Sequence, residues 1–90
     1  MSLTFGEYLQ QLREAKGYTA GRLAKEIGVD RSYISKVEND HTPVGIKAIR
    51  KMCQALDCSF IGMMIKAGHI TEAEALGWIR EQQAKSHPSD

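Results

Sequence analysis

The sequence has only two cysteines, two prolines and one tryptophan in 90 residues. No apolar stretch approaches the roughly 18 residues of a membrane-crossing helix. The opening Met1-Ser2-Leu3-Thr4-Phe5-Gly6-Glu7 lacks the charged start and apolar segment of a secretion signal, so a cytoplasmic protein with no membrane partner is expected. Cys53 and Cys58 stand five apart, without CxxC spacing or a nearby histidine to complete a zinc set. They read as free, mostly buried thiols, because cysteines in a chain without a secretion signal are usually reduced. His41, His69 and His87 are scattered, and no nucleophile–base pair, metal spacing or phosphate loop is recognisable. No catalytic residue, metal or cofactor is therefore expected.

A dominant charge is also lacking, since the net charge is +1. Its distribution is more informative: residues 41–56 carry Lys47, Arg50 and Lys51 with no acid, whereas residues 57–90 carry five acids against Lys66, Arg80 and Lys85. The positive field is displaced from the C-terminal third. Ordinary solvated helix faces would give much the same asymmetry. At 42% hydrophobic and 26% charged, the chain has the composition of one folded domain.

What is present is a succession of helical punctuation. Thr4-Phe5-Gly6-Glu7 has capping-box spacing, and Phe5, Tyr8, Leu9 and Leu12 recur at helical intervals up to Lys16, before Gly17. Thr19 caps a second helix of about two turns, with Leu23, Ala24 and Ile27 inward and Gly28 ending it. Asp30 caps a third helix that points Ile34 and Val37 inward and runs to about Glu38. After the turn residues Asn39 to Pro43, the positions Ile46, Ile49, Met52, Cys53 and Leu56 form one face of a fourth helix. Ser59 caps a short fifth helix, Phe60 to Ile65, that is apolar nearly all round and ends near Gly68. Thr71-Glu72-Ala73-Glu74 is a second capping box with Ile70 as hydrophobic staple, and it opens a sixth helix with Leu76, Ile79 and Trp78 inward. The tail should fray from about Ser86.

Between Ala20 and Asn39 these residue types answer one geometric need. Two short helices that cross closely require a small residue at the contact, Ala24, and a positive φ in a tight turn, Gly28. Val29, Ile34 and Val37 then fill the angle between them.

On Leu12-Arg13, Leu23-Ala24, Gly28-Val29, the run from Asp30 to Asn39 and the closing Ala55-Leu56-Asp57, the sequence resembles the lambda-repressor-like family. These are the Cro/repressor-type, or XRE, helix-turn-helix regulators of bacteria and phages. The resemblance covers roughly Phe5 to Ile65. It implies an all-α fold with a compact five-helix DNA-binding domain over residues 1–68; the capping box at Thr71 adds a C-terminal helix at 69–85, packed on the domain or at a dimer interface, before a frayed tail at 86–90. It implies a transcriptional regulator of double-stranded DNA that reads an operator half-site through the third helix in the major groove. Arg31, Ser32, Tyr33 and Lys36 would meet base edges, and their chemistry suits this, because arginine presents two parallel donors to guanine O6 and N7. Thr19, Ser35, Asn39 and Thr42 would meet phosphates.

The same resemblance makes Arg13 and Glu38 a partly buried ion pair. It departs from the family at Ala20, where many members carry a glutamine that touches phosphate. Two partner readings stay open. Phe60, Met63 and Met64 could form the surface of a homodimer on a palindromic operator, or the sixth helix could fold back over the fifth. A different class of function keeps the fold as a protein-interaction module, antitoxin-like or adaptor, with weak or no DNA binding.

Overall fold

The computed structural model describes residues 3–86, without the side chains of 78, 79 and 82–86. It is all-helical over those residues: α1 (Phe5–Ala15), α2 (Ala20–Ile27), α3 (Arg31–Glu38), α4 (Ile46–Leu56), α5 (Phe60–Lys66) and α6 (Glu72–Ser86). The expected architecture of five helices plus a C-terminal one is the one the chain adopts.

The helix starts follow from the punctuation. Thr4 Oγ1 accepts the Glu7 N–H while Glu7 Oε1 accepts the Thr4 N–H, a closed capping box. Thr71 and Glu74 repeat it at α6. Thr19 and Ser59 cap α2 and α5 by accepting the N–H of Arg22 and Gly62. Asp30 departs from expectation: it takes the extended N-cap backbone of α3, but its carboxylate accepts no cap hydrogen bond. Its remaining contribution there is a negative charge beside the helix dipole.

The helix ends share one device. After each of α1 to α5 a left-handed residue (Gly17, Gly28, Asp40, Asp57 or Gly68) turns the chain back. The following N–H then bonds the carbonyl five residues earlier, as in Tyr18 to Arg13 and His41 to Lys36.

Leu9, Leu23, Ile34, Ile49, Met52 and Met63 are fully buried, and Ala24, Ile27, Val37 and Leu56 complete the centre of a core drawn from all five of these helices. Burial of this apolar surface is the main force holding α1 to α5 together. Cys53 and Cys58 are free, and both thiols approach the sulfur of Met63, at 3.2 and 3.4 Å. Burial pushes the Cys53 thiol up to about 12, far from a reactive thiolate.

Two expectations about the C-terminal third are corrected. Met63 and Met64 belong to this chain's own core and leave a partner almost no surface, whereas Phe60, Ile61 and Ile65 of the same helix are half-buried. Leu76 was expected inward but is 55% exposed, and Ala75 takes the buried place. The expected inward positions of Trp78 and Ile79 lie outside the described side chains. Ser86 is still helical, and residues 87–90 lie outside the described residues. α6 packs mainly on α5 and lengthens the molecule to 51 × 27 × 21 Å. The radius of gyration is 14.9 Å, against about 12 Å for a fully compact chain of this length. No helix among the described residues is long and apolar enough to cross a membrane.

Candidate nucleic-acid interface

α2 and α3 are joined by Gly28-Val29-Asp30, with Gly28 at φ 75° and ψ 37°. That left-handed step suits glycine and lets two short helices cross at once. Ala24, 3% exposed, is small where they meet. α3 is thereby divided. Ile34 and Val37 are buried, and Arg31, Ser32, Ser35 and Lys36 are exposed on the other side. Tyr33 stands between the two sets, half-buried and packed against the core edge, so its ring has a structural task as well.

The inner edge of α3 is fixed by charge. Arg13 Nε donates to Glu38 Oε2 at 2.7 Å, and a second guanidinium nitrogen donates to Glu38 Oε1 at 3.0 Å. The third donates to the Tyr18 carbonyl at 2.8 Å. The two side chains are only 13% and 9% exposed. A bidentate, mostly desolvated pair of this kind has its donors and acceptors satisfied. The hydrogen bond to Glu38 holds the Arg13 pKa above its ordinary value, against the opposing effect of burial.

The residues assigned to phosphate by resemblance are placed as follows. Thr19 Oγ1 already accepts the Arg22 N–H, which leaves its hydroxyl proton to donate. Asn39 Nδ2 donates to the Ser35 carbonyl at 2.8 Å and so closes the end of α3. Thr42 is half-buried in the loop between α3 and α4. This loop walls an open cleft of about 370 Å³ that also includes Phe5, Val44 and His69.

Sequence reasoning missed what holds that loop. The Gly6 N–H donates to Asp40 Oδ1 at 2.9 Å, across 34 positions of sequence. Hydrogen bonds from Thr4 and then Gly6 hold the Asp40 carboxyl below its ordinary pKa. From the other side, a ring nitrogen of His69 lies 2.7 Å from the Val44 carbonyl. Gly6 itself marks where α1 touches α3, since a β-carbon there would stand 2.7 Å from the Val37 carbonyl oxygen and closer still to that of Glu38. No local signal points to any of these contacts except the Asn-Asp pair, which is compatible with a left-handed residue.

The cations near the motif differ in their freedom. Arg22 stacks over the Tyr18 ring at 4.1 Å and lies 3.9 Å from Glu26. Among the described residues Arg31 and Lys36 have no side-chain hydrogen bond or ion pair.

A helix pair joined by a left-handed turn, with a polar outer face and a buried inner one, has a counterpart in known proteins. The family model described as Helix-turn-helix matches residues 9–62. The chain belongs to the helix-turn-helix family. Among its helix-turn-helix relatives, the transcriptional repressor RghR of Bacillus subtilis is 41% identical over 70 residues, covering 77% of this chain and 52% of the relative. The restriction-modification controller protein C.AhdI of Aeromonas hydrophila superposes with a TM-score of 0.63 at 39% identity, over 66% of this chain and 89% of that one. The biofilm master regulator SinR, solved in complex with DNA, gives 0.64 at 31% identity, over 68% of this chain and 98% of that one. The chain spans about half the length of the curated relatives it matches.

Proposed function

We propose that this protein is a transcriptional regulator that binds double-stranded DNA, with α3 in the major groove. Arg31, Ser32 and Lys36 read base edges, with Tyr33 beside them, and Thr19, Ser35, Asn39 and Thr42 fix the position on phosphates. The observation that carries this reading is the division of α3. One helix buries Ile34 and Val37 while it presents Arg31, Ser32, Ser35 and Lys36, with no partner among the described residues for either cation. The DNA complex of SinR supports it by similarity of fold and sequence. Ala20, in place of a frequent phosphate-touching residue, and a loop without cations from Asp40 to Val44 leave backbone anchoring thin, except where oriented N–H groups supply it.

A homodimer on a palindromic operator would compensate, with half-sites about one helical turn apart. Its surface would be α6 with exposed Leu76 and the half-buried Phe60. The same surface favours a second reading, in which a different protein docks on α6 and DNA binding is weak. Selection from random duplex DNA at fixed salt separates the two. A regulator enriches a defined sequence, Arg31→Ala loses preference at one position, and Lys36→Ala weakens binding. No enrichment would remove the regulator reading, and a monomer in light scattering at tens of micromolar would remove the homodimer.

A further inference from the structure

We infer that Gly21 is a specificity-determining residue, whose missing side chain sets the path of Arg31 and with it the base pair that Arg31 reads. The inference rests on the DNA-reading role of α3 and deepens it. Gly21 lies in the first turn of α2, where glycine is a poor helix residue, and it does not adopt a positive φ. Nothing among the described residues crowds it either. A β-carbon there would meet only Thr19 Oγ1 at 3.9 Å and Arg31 Cδ at 4.0 Å, both ordinary contact distances. The fold therefore does not demand glycine at this position.

The two atoms bordering the vacant space belong to a proposed phosphate contact and a proposed base contact. Arg31 leaves the first turn of α3 with its aliphatic stem over the head of α2, and no hydrogen bond or ion pair among the described residues fixes its guanidinium. Its direction is set by the surface beneath it, which at Gly21 carries no side chain. Arg22, the next residue, is drawn over the Tyr18 ring and leaves the space open. A longer residue at 21 would lift or turn the Arg31 stem. Because base readout depends on two parallel N–H donors meeting one base edge, a small rotation changes which base pair is preferred.

The test is selection from random duplex DNA by the full chain as wild type, Gly21→Ala, Gly21→Gln, and Gly21→Gln combined with Arg31→Ala, with thermal unfolding as the control for folding. Gly21→Gln is expected to change preference by about tenfold at a single position of the half-site, with the other positions unchanged. Gly21→Ala should fold at least as well as the wild type and shift the same position less. In the Arg31→Ala background Gly21→Gln should no longer change preference. The inference is overturned if Gly21→Gln keeps the wild-type preference, alters all positions alike, or acts equally without Arg31. If the wild type enriches no sequence, the DNA-reading role falls and this inference with it. Wild-type enrichment with an unchanged Gly21→Gln preference removes this inference alone.

Discussion

The seam between α1 and α3 and the opposite, outer face of α3 are made from the same kinds of side chain and end in opposite conditions. On the seam, Arg13 spends three nitrogens on Glu38 and the Tyr18 carbonyl, Gly6 lets the backbones touch, and Asp40 takes the Gly6 N–H. On the outer face, Arg31 and Lys36 have no partner among the described residues. A charge inside a seam must be satisfied by the chain, because an unpaired buried charge is costly, whereas water serves the outer face until a ligand replaces it. The contrast teaches that arginine alone says nothing about function. What separates Arg13 from Arg31 is whether the fold has already used its donors.

Breaking the seam should produce the largest effect. Glu38→Ala strands the Arg13 guanidinium, and urea unfolding should show a loss of about 3–5 kcal/mol. Replacing both partners, Arg13→Met with Glu38→Leu, should return most of that stability. An unchanged midpoint for Glu38→Ala would show that the pair is well hydrated. Next in size is Gly6→Ala, which drives a β-carbon into two carbonyl groups of α3 and should cost about 1–3 kcal/mol by the same measurement.

The smallest effect concerns the helix ends. Asp57 holds a left-handed conformation at φ 54° with no side-chain hydrogen bond among the described residues, so Asp57→Gly should stabilise by about 0.5–1 kcal/mol. Asp40→Gly should gain nothing of the kind, because it also gives up the bond from Gly6. Equal gains from the two substitutions would show that the Asp40 bond has no part in holding the loop.

The sequence made most of the fold legible, because the signals were local. Thr4 with Glu7, Thr71 with Glu74, and Gly28 between two apolar pairs each act within a few residues, and the helices begin and end where these stand. The separation of Ile34 and Val37 from Arg31 and Lys36 was readable for the same reason. What escaped depends on contacts distant in sequence or on which side of an apolar helix meets the core. Met63 and Met64 looked available to a partner because α5 is apolar nearly all round, and only the packing of other helices against α5 shows that they are interior. Leu76 was placed inward because α6 spreads its apolar residues around the helix, so period alone could not choose between Ala75 and Leu76. Gly6 and His69 matter through partners 25 or more positions away. Composition and spacing carry no record of these contacts.

The outer face is tested most directly by fluorescence anisotropy of wild type and Arg31→Ala, each titrated with a duplex selected by the wild type and with the same duplex scrambled, at one salt concentration. The wild type should bind the selected duplex at least about tenfold more tightly than the scrambled one, and Arg31→Ala should bind the two nearly alike. Equal binding of both duplexes by the wild type, or a full preference retained by Arg31→Ala, would contradict base reading through α3.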